Sequence, residues 1–202
     1  MSRQVLLASR NTKKLNELRR IVADAGVEGL EIVGLDDVPE YPEAPETGAT
    51  FEENALAKAR DGARATRLAC IADDSGITVE ALNGMPGVLS ARWAGRHGDD
   101  AANNALLLAQ LSDTPDERRG ASFVSACALV IPGGAEIVVR GEWPGTVGRA
   151  PQGEGGFGYD PLFHPDGGER SAAQLTPAEK DGASHRGRAL AQLLPALTAL
   201  AR

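Results

Sequence analysis

Four clusters of residues in this chain have the types and spacing to do chemistry. The first is Ser9-Arg10-Asn11-Thr12-Lys13-Lys14, which follows an apolar run at residues 5–8 and leads into a helical pattern. A strand therefore ends, a short polar turn follows, and a helix starts. Backbone N–H groups at a helix start favour an anion, and a lysine in the first turn adds a mobile cation. Lys13 and Lys14 oppose the helix dipole there, so they are locally unfavourable without an anion to hold. The plain alternative is an Asn or Ser cap with solvated lysines. A Walker A loop is excluded, because its glycines and its Gly-Lys-Ser/Thr ending are absent.

The second cluster is Ala72-Asp73-Asp74-Ser75-Gly76, at the end of an apolar strand. Adjacent carboxylates on a strand point to opposite sides, so only one of them easily shares a site with a given ligand. Acidic residues at a strand end suit Mg²⁺, which takes one or two carboxylates and otherwise keeps water or phosphate oxygens. A turn with Asx hydrogen bonding accounts for the same residues equally well. Glu46, in Pro45-Glu46-Thr47-Gly48, reads by itself as a solvated loop carboxylate.

The third is Gly155-Gly156-Phe157-Gly158-Tyr159-Asp160-Pro161. Glycines around two aromatic residues suit a backbone that approaches something flat and close, and a base stacked on an aromatic gains roughly 1–3 kcal/mol. An irregular loop between strands is the alternative. The fourth comprises Glu179-Lys180 and Ser184-His185-Arg186-Gly187 at the start of the final helical segment. Lys180, His185 and Arg186 would set a basic group beside a second helix start, although His185 alone reads as a surface or capping histidine.

The elements that must position these groups alternate along the chain. Strands are expected at residues 5–8, 30–33, 68–72 and 122–131, with 77–82 extending the sheet. Residues 122–131 are nearly continuously apolar, as in a strand covered on both faces. Pro132-Gly133-Gly134 joins that strand to another at 136–143, so a hairpin is expected. Helical periodicity marks 12 to about 25, with Leu15, Leu18, Ile21 and Val22 on one stripe. It also marks 50–67, 99–111 and 187–200, the last kinked at Pro195. Thr176-Pro177-Ala178-Glu179 is a capping box with Pro at the first helical position. The pattern gives a mixed α/β sheet with helices on both sides.

The 202 residues suit one domain, or at most two tightly joined lobes, able to fold without staples. With 4% aromatic residues, the core is expected to rest on Leu, Val, Ile and Ala. Two cysteines make no disulfide framework, and Cys70 and Cys127 sit in apolar runs as buried reduced thiols. No apolar stretch reaches the roughly 18 residues of a membrane span, and the run after Arg3 is too short for a signal peptide, so a cytoplasmic protein is expected. The formal charge of −7 speaks against a protein that holds a nucleic-acid backbone, yet allows a small polyanion in a locally basic pocket. That charge is unevenly spread: no Lys or Arg occurs between Arg20 and Lys58, where ten acidic residues run from Asp24 to Glu53.

Taken in order, the motifs carry more than each does alone. Ser9-x-Asn11-x-x-Lys14-x-x-Glu17 is followed by Glu46-Thr47-Gly48-x-Thr50-Phe51-x-x-Asn54-Ala55, then by Ala72-Asp73-Asp74-Ser75-Gly76 and Pro86-Gly87-x-x-Ser90-Ala91-Arg92. Gly156-Phe157-Gly158-Tyr159-Asp160-Pro161 and Ser184-His185-Arg186-Gly187 complete the set. From residue 5 to about 194 the chain resembles the inosine triphosphate pyrophosphatase family, which hydrolyses deaminated, non-standard purine nucleoside triphosphates. The resemblance implies an α/β fold with an elongated central mixed β-sheet flanked by helices, and two lobes with the nucleotide cleft between them. It implies a Mg²⁺-dependent homodimer converting XTP, ITP or dITP to the monophosphate and pyrophosphate.

By position, the resemblance places the triphosphate on Ser9, Arg10, Asn11, Thr12, Lys13 and Lys14. Asp74 becomes the catalytic carboxylate at the metal, with Glu46 as a second ligand or water-positioning group. Ser75, Phe157, Gly158, Tyr159, Asp160, Lys180, His185 and Arg186 would contact the nucleotide, and Lys58, one helical turn after Asn54, would face the phosphates. Arg10 departs from the family, many of whose members carry Gly there. The relative roles of Asp73 and Asp74 stay open at this level. Rival functions are a pyrophosphatase of modified pyrimidine nucleotides and a nucleotide-binding module without turnover, the latter disfavoured by the joint presence of Lys14, Glu46 and Asp74.

Overall fold

The computed structural model describes residues 2–42 and 45–201, the side chain of Asp181 excepted. Glu43 of the acidic run lies outside the described residues. Strands β1 (Arg3–Leu7), β2 (Leu30–Val33), β3 (Ala69–Val79), β4 (Gly120–Val130), β5 (Glu136–Val147) and β6 (Phe163–Pro165) form one sheet in the order β2-β1-β3-β4-β5-β6. β1 runs parallel to β2 and to β3, with Val5 opposite Ile32 and Ala69, while β5 and β6 are antiparallel. The sheet is mixed, as expected. Helices are α1 (Thr12–Asp24), α2 (Phe51–Thr66), α3 (Asp100–Gln110), α4 (Pro177–Ala183) and α5 (His185–Ala201).

Local signals account for these boundaries. Asn11 caps α1, Thr50 caps α2, and Asp99 caps α3 by accepting from the Ala102 N–H. Thr176 and Glu179 form the expected capping box of α4. Ile131 N–H donates to Ala135 C=O at 3.0 Å and closes the turn between the neighbouring strands β4 and β5. Three details differ from the sequence expectation. The runs at 68–72 and 77–82 join in a single strand, Ala69–Val79, through the Asp-Asp pair, because Asp73 and Asp74 find partners inside the fold and do not need a turn. Residues 80–82 leave the sheet in a 3-10 turn. β5 extends to Val147, and the short β6 completes the sheet edge. α5 begins at His185 and runs through Pro195.

By its internal contacts the chain divides into two compact units. The first comprises the chain up to Asp74, Ser125–Gly141 and the chain from Arg186 onward. Its core joins Val5, Leu7 and Ile71 to Leu18 and Val22 of α1 and to Leu193 and Leu197 of α5. Leu6 and Cys70, of opposite parity on the same strands, meet Gly62 of α2 instead. Strand alternation thus puts α1 and α5 on one side of β1 and β3 and α2 on the other. Cys70 and Cys127 are free and buried, and burial pushes both thiols up to about 12, leaving them inert packing groups.

The second unit comprises Ser75–Val124 and Glu142–His185. Its core is less purely aliphatic than expected, because Phe123, Trp143, Tyr159 and Phe163 pack among its Leu, Val, Ile and Ala side chains. Phe123 packs on Phe163 with ring centroids 4.4 Å apart, and Trp143 meets Phe163 at 5.6 Å, around Ile77, Val79, Leu107 and Leu111. The buried Arg119 guanidinium donates to the carbonyls of Leu111, Val147 and Gly148, which ties the end of α3 to the end of β5.

Candidate active site

In the first unit, the alternation that sorts Ile71 from Cys70 also sorts the two carboxylates. Asp73 shares the parity of Ile71 and faces α1 and α5. Lys14 Nζ lies 2.7 Å from Asp73 Oδ2, and Arg186 Nε donates to the same oxygen at 3.2 Å. The other arm of Arg186 donates to Glu17 Oε2 at 2.8 Å. Asp74 shares the parity of Cys70 and faces α2. Its Oδ2 accepts from Asn54 Nδ2 at 3.0 Å, and its Oδ1 accepts from Lys58 Nζ at 3.2 Å. Lys58 also donates to Glu46 Oε1 at 2.8 Å, so one ammonium bridges two carboxylates.

These surroundings drive the two aspartates apart. Burial opposes the charge of Asp73, but the cations Lys14, Arg186 and Lys58 override it and hold this carboxyl well below the usual range. Asp74 shifts upward, because burial and the nearby charge of Glu46 outweigh Lys58 and the amide of Asn54. Burial also lowers Lys14 despite the adjoining Asp73, whereas the carboxylates around Lys58 overcome its burial and raise it. Asp73 is thus a fixed anion and Asp74 the group with raised proton affinity, the separation expected where one of a pair handles protons.

The loop before α2 is tied to this cluster by Asn54. Its Oδ1 accepts the Gly48 N–H at 2.8 Å while its amide donates to Asp74, so a single buried side chain sets the distance from the Glu46 loop to the strand end. A hollow of about 220 Å³ opens there, lined by Glu46, Thr47, Gly48, Asn54 and Lys58 among others. At the start of α1, Asn11 Oδ1 accepts the N–H groups of Lys13 and Lys14, at 3.0 and 3.4 Å, and Ser9 Oγ accepts that of Asn11. The helix start is therefore satisfied by its own cap. Arg10, Thr12 and Lys13 are exposed, and Arg10 borders a second hollow of about 320 Å³ with Asp36, Glu40 and Tyr41.

In the second unit, Ser75 continues β3, half-buried, and the glycine-rich loop folds around Asp160. Asp160 Oδ2 accepts the Phe157 N–H at 2.8 Å and forms a short ion pair with Lys180. A side chain at Gly156 would overlap the Asp160 carboxylate, and the residue sits at φ +74°, so glycine is required on both counts. Lys180 Nζ also lies 5.2 Å from the centre of the Phe157 ring, a cation–π contact. Gly158 is held by Asp100 and Asn104 of α3, and Tyr159 donates its hydroxyl to the Ser90 carbonyl at 2.8 Å. His185 stacks on Phe123 at 4.9 Å with an interplanar angle of 16°.

The structure thus gathers Lys14, Glu46, Lys58, Asp74 and Arg186 in the first unit, and Phe157, Gly158, Tyr159, Asp160 and Lys180 in the second. Of the three residues expected beside a second helix start, Lys180 pairs with Asp160 and His185 stacks on Phe123 in the second unit, and Arg186 pairs with Asp73 and Glu17 in the first. Four contributors carry no role in the sequence reading: Asn54, Glu17, Asp100 and Asn104. Asn54 and Lys58 lie four apart on one helix face, as do Asp100 and Asn104, and Glu17 lies three after Lys14, so helical spacing was the available signal.

Among the described residues no three His, Cys, Asp or Glu side chains gather as a metal cage. A divalent metal here would therefore rest on two carboxylates and otherwise on water or phosphate oxygens, as Mg²⁺ does. Glu46 and Asp74 present hard oxygen donors that already share one cation, the Lys58 ammonium. Formally, Lys14, Lys58 and Arg186 set three positive charges against the four carboxylates of Glu17, Glu46, Asp73 and Asp74. A site one charge negative repels a triphosphate, and a divalent cation reverses that sign.

The Ham1 family model matches residues 5–196 of the chain. A protein of Nocardia farcinica described as a dITP/XTP pyrophosphatase is 81% identical over 198 residues, which cover 98% of this chain and 96% of that one. A Mycobacterium tuberculosis protein with the same description is 70% identical over 198 residues, covering 98% and 97%. The crystal structure of the Mycobacterium abscessus dITP/XTP pyrophosphatase aligns with TM-score 0.79 at 69% identity, over 96% of this chain and 99% of that chain. A HAM1 protein from Coxiella burnetii aligns with TM-score 0.86 at 41% identity, over 98% and 99%.

Proposed function

This chain belongs to the Ham1 family, and we propose on that premise that it hydrolyses deaminated purine nucleoside triphosphates (XTP, ITP and dITP) to the monophosphate and pyrophosphate. The observation that carries the reading is the pair of carboxylates, Glu46 and Asp74, sharing Lys58 beside the Lys14–Asp73 ion pair.

Lys14 and Lys58 neutralise the triphosphate, with Ser9, Arg10, Asn11, Thr12, Lys13 and Ser75 completing its contacts. Burial makes the charge of Lys14 costly, so a phosphate oxygen is a favoured partner. Asp74, whose proton affinity is raised by burial, takes a proton from the attacking water. The water oxygen bonds to the α-phosphorus while the bond to the bridging oxygen breaks in line, and pyrophosphate departs with that electron pair. Glu46 and Asp74 are the residues that would hold Mg²⁺. When bound, it neutralises phosphate charge and favours the departing pyrophosphate. Arg186 acts through Asp73 and Glu17, fixing the anion that positions Lys14.

Phe157 stacks on the base and Lys180 donates to its 6-oxo group, with Gly158, Tyr159 and Asp160 holding both in place. His185, flat on Phe123, is a further nucleotide contact in this reading. Adenine presents an amino group where inosine presents the 6-oxo group, and such polar mismatch discriminates by roughly 10⁴-fold. The test is pyrophosphate release from ITP, XTP, dITP, ATP, dUTP and dTTP with Mg²⁺. Preference for the first three is expected. Equal rates on ITP and ATP sink the selectivity mechanism, and preference for dUTP or dTTP sinks the substrate class. A homodimer in the cytoplasm is part of the proposal and is checked by sedimentation equilibrium and cell fractionation.

A further inference from the structure

α3 grips the glycine-rich loop at one residue. Asp100 Oδ2 accepts the Gly158 N–H at 2.7 Å, and Asn104 Nδ2 donates to the Gly158 carbonyl at 2.9 Å. The two side chains lie four residues apart, hence on one face of the helix, and together they hold both peptide groups of a single residue. Gly158 needs such a hold. It sits at φ +61°, a conformation open to glycine that by itself leaves the peptides on either side few restraints, and it directly follows Phe157, whose own N–H is held by Asp160. α3 is itself anchored: Asn103 Oδ1 accepts the Ala94 N–H at 2.7 Å, and its amide donates to the Ala91 carbonyl at 3.3 Å.

Asn104 carries a second observation. Its Oδ1 is buried and finds no hydrogen-bond partner among the described residues. Buried acceptors are nearly always partnered, so this amide leaves one group unsatisfied in order to reach Gly158. A side chain serving only the packing of α3 would do better as an apolar residue.

We propose that Asp100 and Asn104 are positioning residues for base recognition, fixing Gly158, and through it the Phe157 ring, before substrate arrives. The inference rests on the reading that residues 155–161 receive the base. A stacked ring binds best when it is ordered in the free enzyme, because ordering it on binding subtracts from affinity. The clamp therefore acts on KM and not on the chemical step.

Steady-state kinetics on ITP with Asn104→Ala, Asp100→Ala, Asp100→Asn and Phe157→Ala, together with a melting curve for each, tests this. Asn104→Ala and Asp100→Ala are expected to raise KM about fivefold each, equivalent to about 1 kcal/mol, with kcat within about twofold of the parent. Asp100→Asn keeps an acceptor for the Gly158 N–H and is expected to restore KM to within about twofold. Asn104→Ala removes the orphaned oxygen along with the donor, so its Tm should stay within about 3 °C. A purely structural role would lower Tm and the active fraction while leaving KM alone, and that result overturns the proposal. Unchanged KM in both alanine variants alongside a raised KM in Phe157→Ala overturns the clamp but spares the base loop. Unchanged KM in Phe157→Ala rejects the base-loop reading, and the clamp falls with it.

Discussion

Asp73 and Asp74 are held by the side chains of Lys14, Lys58, Arg186 and Asn54, whereas Phe157 and Gly158 are held through their main chain by Asp160, Asp100 and Asn104. The first arrangement is a set of buried charges whose balance shifts with pH and with any ion that enters. The second is a set of hydrogen bonds that fix geometry around an aromatic ring. Charges stabilise charge, and a triphosphate undergoing cleavage is where charge develops. A stiff loop offers a flat apolar face at fixed distance, which suits a base that does not react. In the proposed function this difference gives chemistry to one region and recognition to the other.

The largest effect expected is from Asp74→Asn. Loss of the proton acceptor should cut kcat roughly 10²- to 10⁴-fold in a pyrophosphate-release assay. Because burial already opposes the charge of Asp74, stability contributed by its protonation is lost as pH rises through its raised pKa. The neutral amide should therefore fold at least as stably at pH 7, as a melting curve would register. Full activity in this variant would break the assignment of chemistry to the first region.

Asp73→Asn should do the reverse and act first on the fold. Removing one partner of a buried ion network costs about 3–5 kcal/mol, or roughly 10 °C in Tm for a chain of this size. The pH dependence has a definite sign. Asp73 is held below the usual carboxylate range, so its contribution is complete above the unfolded value near 3.9 and is lost as pH falls towards its own lower one. The parent should lose stability steeply in acid and Asp73→Asn should not. Equal melting temperatures at pH 7 would erase the distinction between the two aspartates.

Next in size is Phe157→Ala, expected to weaken ITP binding by the roughly 1–3 kcal/mol of a lost stack, with the pH profile of kcat unmoved. A shifted profile would mean that the two regions are not separable in function. The smallest effect concerns Glu46→Gln. Its charge helps to raise Asp74, so in metal-free protein the titration of Asp74, followed by carboxyl NMR, should move to lower pH. No movement would show that Glu46 plays no part in raising that group.

Much of this was legible in the sequence. The Thr176–Glu179 capping box set the start of α4, helical periodicity located α1, α2, α3 and α5, and apolar runs located β1, β2 and β4. The joined β3, the length of β5 and the short β6 were not foreseen. Strand alternation placed Asp73 and Asp74 on opposite sides, as observed. Glu46 was different: alone in a proline-rich loop it reads as solvated, and only Lys58 and the Asn54–Gly48 tie give it a place. Gly158 read as part of a glycine-rich loop that approaches something flat, but nothing local pointed to α3 as its support. Aromatic scarcity suggested an aliphatic interior, yet the second unit collects the rings of Phe123, Trp143, Tyr159 and Phe163 in its core.

The sequence by itself determined the order of elements, the caps and the opposite facing of two adjacent carboxylates, because propensity and alternation act over a few residues. Which cation meets which carboxylate was decided by tertiary structure alone. Arg186 reaches Asp73 across 113 positions of chain and Glu17 across 169. A Coulomb interaction depends on distance in space and on burial, and neither is written in the spacing of the residues.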